Sequence, residues 1–128
     1  MLTEKDYCDY DTSITLGELG FPLKRMKVKN LTDRKFDESI IPVLLYDAQK
    51  WLREEKEVEV AIIPEYNEFA PVKGVQYRVW VSHWKDDEFG YETIEIVDEE
   101  TRIPFLYKTY TEALSEGIKE AVEILKGE

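Results

Sequence analysis

Alternation of apolar and polar residues along 75–84 is the feature that most constrains how this chain folds. Val75, Tyr77, Val79 and Val81 point to one side of an extended chain, and the residues between them are polar or tryptophan. A strand with one apolar face requires a second layer that covers that face. The pattern therefore predicts a β-sheet with helices on one side.

Two neighbouring stretches show the same alternation. One strand is predicted at 57–63, where Pro64 ends it, and another at 91–97. A short apolar piece at 103–107 is a candidate for an additional edge strand. We therefore expect a meander of three consecutive strands, with one further strand as an open alternative.

Three stretches carry helix signals. The first, at 9–19, begins with Asp9 as its N-cap, and the second has Pro42 at its first position. The third begins at Thr109, which has the capping-box spacing to Glu112. The apolar stripes of the second and third helices are Leu44, Leu45, Ala48, Trp51 and Leu52, and Leu114, Ile118, Ala121, Val122 and Leu125.

The order of these elements predicts one α+β domain over 1–128. It contains a helix, an arm at 23–39 that we do not assign, a second helix, a three-stranded antiparallel meander and a last helix, with helices packed on one face of the sheet. Gly117 lies on the apolar side of the last helix and permits close approach to the sheet. The α-β-β-β-α part has the order of double-stranded RNA-binding domains, which is an analogy of architecture only.

Charge is distributed unevenly along the chain. With 17 basic and 28 acidic residues the net charge is −11, which argues against nonspecific binding to nucleic acid or to anionic membranes. The stretch 86–100 contains acidic residues and no basic one, whereas 24–35 is basic. The cations of this basic arm are Lys24, Arg25, Lys27, Lys29, Arg34 and Lys35. The arm is either a loop that contacts phosphates or acids, or a solvated loop that offsets the acidic body; the second is favoured because isolated surface charges contribute little.

The sequence offers little material for catalysis. Cys8 is the only cysteine, which excludes an intramolecular disulfide, and no metal-ligand spacing surrounds His83, the only histidine. We expect His83 to be a packed side chain, and we expect no catalytic centre, cofactor or metal. The N-terminus lacks the pattern of a signal peptide, and the apolar runs are too short to span a membrane, so we expect a cytoplasmic protein.

The second strand carries the most informative side chains. Trp80 and Trp84 share the face opposite its valines, and Arg78 precedes them on that face. Exposed tryptophan beside arginine is typical of protein-binding anchors. The predicted protein-binding residues are Arg78, Trp80, Trp84, Asp86, Asp87 and Glu88. The alternative, narrowly favoured because the arm must pack somewhere, is that the first helix or the 23–39 arm covers this face.

A family resemblance covers roughly a third of the chain. It rests on Asp6-Tyr7-Cys8 with Leu16–Phe21, on Ile41-Pro42 with Tyr46–Glu54, and on Thr109–Leu114 with Gly117–Ala121. These stretches resemble small uncharacterised proteins common in phages and mobile elements of gut Bacteroidales. The resemblance implies a small intracellular accessory protein, carries no activity or site residues with it, and does not extend to 23–39.

These observations together predict a non-enzymatic module that binds a protein. Four alternatives remain. They are binding of nucleic acid through the basic arm 24–35, imitation of nucleic acid by the carboxylates of 86–100, closure of the tryptophan face in a homodimer and, last, a small hydrolase or metal enzyme.

Replacement of Asp86, Asp87 and Glu88 together by alanine distinguishes a nucleic-acid mimic from an aromatic-anchored protein complex. A nucleic-acid mimic loses its partner because the phosphate-like charges are gone, whereas an aromatic-anchored complex loses mainly association rate. The measurement is the association rate and affinity for a captured partner at two salt concentrations. Unchanged binding would mean that the acidic tip is only a solvated turn.

Overall fold

A computed structural model describes residues 1–25, 40–67, 74–84 and 90–127. They form an α+β domain with an antiparallel sheet in the order β1-β2-β3, and the predicted order of helices and strands is confirmed. The elements are a 3-10 turn at Glu4–Asp6, α1 at Tyr10–Glu18, α2 at Leu45–Lys56, β1 at Val58–Asn67, β2 at Gly74–Trp84, β3 at Tyr91–Glu95 and α3 at Tyr110–Lys126.

Two helices begin at the predicted caps. The carboxylate of Asp9 accepts a 2.8 Å hydrogen bond from the Thr12 N–H at the start of α1. The hydroxyl of Thr109 accepts a 3.1 Å bond from the Glu112 N–H at the start of α3. Each bond satisfies a backbone donor that has no partner inside its helix, so these helix starts are encoded locally.

The predicted start of α2 is wrong. Pro42 is not its first residue, because the helix begins three residues later at Leu45. The segment before it is held extended: the Cys8 N–H donates to the Val43 carbonyl at 2.7 Å, and the Val43 N–H donates to the Ser13 hydroxyl at 3.1 Å. Because these tertiary hydrogen bonds hold the backbone extended at Val43, the helix begins only at Leu45.

The prediction that Pro64 ends the first strand is wrong. It pairs with Tyr77, and β1 continues to Asn67. Both backbone groups of Tyr77 bond to Tyr107 on its other side, so the nitrogen at position 64 points away from β2. A proline there costs no ladder hydrogen bond, because β1 is an edge strand.

The last part of the sheet is shorter than predicted. β3 ends at Glu95, and Val97 forms an isolated bridge with Pro104. The candidate edge strand at 103–107 is not a full strand. It pairs with β2 through a single bridge, in which Tyr77 and Tyr107 exchange two hydrogen bonds of 2.9 Å.

The core lies between the sheet and the helices. α3 packs on β1 and β2, α2 packs on β1 and α3, and α1 contacts α3. The predicted close approach of α3 is confirmed: a Cβ at Gly117 would collide with Val60 and would lie 2.9 Å from Cγ1 of Val79. The largest fully buried side chains include Leu16, Leu45, Leu52, Leu114, Ile118, Val58, Val60, Val79 and Val81.

Gly117→Ala tests this contact. Overpacking against two stiff β-branched side chains costs about 1–3 kcal/mol, and better helix propensity returns at most about 1 kcal/mol. We expect a net loss of stability, measured by urea denaturation. Gly74→Ala is the matched control, because a Cβ at Gly74 meets nothing within 4 Å. Equal stability of the two variants would contradict the proposed packing.

Candidate functional site: the exposed face of the sheet

The face of the sheet opposite the helices carries both predicted tryptophans. Trp80 is 38% exposed and Trp84 is 47% exposed, and Tyr91, which pairs with Trp84 across the strands, is 60% exposed. The strand register assigns the following residues to this face, called the open face: Glu59, Ala61, Ile63, Glu65, Gln76, Arg78, Trp80, Ser82, Trp84, Tyr91, Thr93 and Glu95.

Trp84 and Tyr91 form the aromatic end of the open face. Their rings meet edge to face, with centroids 5.0 Å apart. Gly90 precedes Tyr91 with a φ of +72°, and a Cβ there would approach the Trp84 ring at 3.4 Å. The glycine therefore leaves room for the Trp84 ring beside Tyr91.

Arg78 holds the opposite end of the open face. Its Nε donates to Glu95 Oε1 at 2.7 Å, a second ion pair joins it to Glu65 at 3.6 Å, and the guanidinium lies 5.9 Å from the Trp80 ring centroid. The hydrogen bond that Arg78 donates to Glu95 raises the pKa of Arg78. The sequence predicts Arg78 as an anchor for a partner, and that role stays a prediction. In the structure its guanidinium pairs with two carboxylates and lies beside the Trp80 ring.

The charge of the open face is acidic in the described part of the chain. Glu59, Glu65 and Glu95 lie on it, and Arg78 is the cation among its described residues. Arg53 of α2 forms an ion pair with Glu59, in which Nε lies 2.6 Å from Oε2. Phosphate groups would therefore meet unfavourable charge on this face.

The sequence predicts two segments that could cover the tryptophans, the first helix and the 23–39 arm. α1 makes its contacts with α3 in the helical layer, so α1 is not the cover. The predicted arm at 23–39 is described as far as Arg25, and its residues 26–39 lie outside the described residues. Its described beginning, Lys24 and Arg25, follows Leu23, which lies against Gly17 of α1.

Several predicted site residues lie outside the described residues. They are Lys27, Lys29, Arg34 and Lys35 of the basic arm, and Asp86, Asp87 and Glu88.

The packed role expected for His83 fits its place in β2. It is 5% exposed on the side of β2 that faces the helices, and its Nε2 lies 3.9 Å from Glu92 Oε1. Over the described ranges, no group of three or more His, Cys, Asp or Glu side chains is arranged to hold a metal ion.

Sequence reasoning missed a cleft beside the first helix. It measures about 1040 Å³ and lies between the N-terminal turn, residues 41–42, residues 105–107 and α3. Lys119 crosses it, with ion pairs to Asp9 at 3.5 Å and to Glu116 at 3.4 Å. Three stretches that are distant in sequence, 4–10, 41–42 and 105–119, form its walls, so no local sequence pattern predicts it.

No family model, curated protein or solved structure matches this chain. The resemblance to phage and mobile-element proteins therefore stays a prediction. In the residues that the structure describes, no helix has the length and apolar character needed to cross a membrane.

The thiol of Cys8, at the floor of the cleft, is expected to be unreactive. Burial, followed by the charge of Asp9, raises its pKa to about 12, and the side chain is 4% exposed. At pH 8 its alkylation by iodoacetamide should be roughly 1000-fold slower in the folded chain than in urea, because the thiolate is the nucleophile. Comparable rates in both conditions would contradict this burial.

Proposed function

We propose that this chain is a non-enzymatic protein-binding module that docks a partner on its open face. The observation that carries the proposal is the exposure of Trp80, Trp84 and Tyr91 on one side of a single sheet. Tryptophan and tyrosine bury large areas with few rotatable bonds, which is why they dominate binding energy at protein interfaces.

The arrangement of the neighbouring groups favours this function. Arg78 is fixed by Glu95, and Trp84 is fixed by Tyr91, so the rings are ordered before a partner arrives. Preordered side chains lose less conformational entropy on binding. The partner surface that suits this patch is apolar at its centre and carries hydrogen-bond donors at its rim.

The charge of the open face favours a protein over nucleic acid. Bases can stack on exposed tryptophan, but a nucleic-acid backbone would then run beside Glu59, Glu65 and Glu95. A cytoplasmic accessory role in a phage or mobile element is part of the proposal and rests on the sequence resemblance.

The test is affinity capture with three variants. Trp80→Ala and Trp84→Ala should each lose the captured partner, and Tyr46→Ala, which removes an exposed aromatic side chain on α2, should retain it. Truncation of a central anchor costs about 2 kcal/mol, or roughly a 30-fold loss of affinity. Circular dichroism confirms that each variant is folded.

A partner retained equally by all folded variants would contradict the proposal. Concentration-dependent sedimentation that both tryptophan variants abolish would identify the partner as a second copy of this chain.

A further inference from the structure

We infer that the outer edge of β3 receives an extended, basic peptide segment of the partner as a fourth strand of the sheet. This inference rests on the proposed function and names how the partner docks beside the open face. The edge is defined by the backbone groups of Tyr91, Thr93 and Glu95.

The direction of these backbone groups follows from the register. Tyr77 bonds through both its backbone groups to Tyr107, and the Ile96 N–H donates to the Val79 carbonyl at 3.2 Å. The groups of Val81 and His83 therefore also point toward β3, because backbone groups alternate in direction along a strand.

The residue pairs between β2 and β3 are therefore alternately hydrogen-bonded and non-hydrogen-bonded. Ile94 pairs with Val81 and Glu92 pairs with His83, so these two residues of β3 bond to β2. The N–H and C=O of Tyr91, Thr93 and Glu95 point outward, two residues apart. In the described part of the chain no backbone hydrogen bond engages these outward groups. They form a template for an added strand.

The opposite edge of the sheet is closed to such pairing. Pro64 has no N–H to offer at the outer side of β1. The Val60 carbonyl, which also points outward, accepts a 2.8 Å hydrogen bond from the Gln49 side chain of α2. The two edges therefore differ, and among the described residues the edge with unpaired backbone groups is the one next to Trp84 and Tyr91.

Charge defines the chemistry of the added strand. Residues 91–100 contain five acidic residues, Glu92, Glu95, Asp98, Glu99 and Glu100, and no basic residue. A second copy of β3 would bring the same carboxylates against these, which is unfavourable across a strand pair. Glu95 already pairs with Arg78, but its carboxylate can accept from a second cation. A segment with lysine or arginine at this edge is attracted by the acidic residues of 91–100 together.

The register translates into a probe peptide. An antiparallel strand places its first paired residue opposite Glu95 and its fifth opposite Tyr91. Its paired residues, chosen to complement the side chains of β3, are Lys, Val, Thr, Lys and Tyr. In this order they lie opposite Glu95, Ile94, Thr93, Glu92 and Tyr91. The probe is acetyl-Thr-Lys-Val-Thr-Lys-Tyr-Thr-amide, and the controls are two singly N-methylated forms of it.

Amide hydrogen exchange of the full chain reads out the edge directly. Without peptide, we expect the amides of Glu92 and Ile94 to be protected and those of Tyr91, Thr93 and Glu95 to exchange quickly. With about 90% of the chain bound, exchange at these last three positions should slow roughly tenfold, because only the unbound tenth exchanges. The alternation along one strand distinguishes strand addition from contact with side chains alone.

The N-methylated peptides are matched controls. A methyl group on the amide of the central threonine, opposite Thr93, blocks a bond to the edge and should weaken binding by about tenfold or more. A methyl group on the amide of valine, opposite Ile94, points away from β3 and should change binding by less than about threefold. Equal effects of the two methyl groups would overturn the inference.

The variant Thr93→Pro tests strand addition with the partner obtained by affinity capture. It removes an outward N–H that β2 does not use, and Thr93→Val removes the same hydroxyl bond to Ser82 but keeps that N–H. Binding lost in the folded proline variant and kept in the valine variant supports strand addition.

The remaining outcomes separate this inference from the proposed function. No slowing of the three amides at millimolar peptide overturns the inference, whether or not Thr93→Pro folds. If the Trp84→Ala variant still loses its partner in that case, the proposed docking on the open face stands and only the added strand is wrong.

Discussion

The close contact between α3 and the centre of the sheet at Gly117 is the constraint on which the rest of the structure depends. Without a side chain at this position, the α3 backbone approaches Val60 and Val79 directly. The apolar face of the sheet is thereby buried, and α2 packs beside α3. Because the helices of the described residues lie on this side, the alternate residues of the strands are left on the other side, where the tryptophans lie.

The open face is ordered by its own side chains. Arg78 joins Glu95 and Glu65 and lies near the Trp80 ring, while Trp84 meets Tyr91 edge to face. Partly exposed ion pairs contribute little to stability, but those of Arg78 hold its guanidinium beside the Trp80 ring. The consequence is a patch that combines large apolar area with a fixed arrangement.

Sequence patterns predicted the elements well where the signal is local. The caps at Asp9 and Thr109 and the alternation along β2 depend on neighbouring residues, and all three are confirmed. The two prolines were misjudged because their effect depends on distant partners. Pro64 is tolerated since β2 directs the backbone groups of Tyr77 to the far side, and Pro42 precedes an extended segment held by α1.

For the candidate site, the sequence alone determined which residues share a face, because alternation along a strand is a property of the backbone. It identified Trp80 and Trp84 as neighbours on the polar side of β2. Only the tertiary structure decided that α1 does not cover them, that Tyr91 joins them, and that Arg78 is occupied by Glu95 and Glu65. These facts arise from strand register and helix packing, which bring together residues distant along the chain and so leave no local pattern in it.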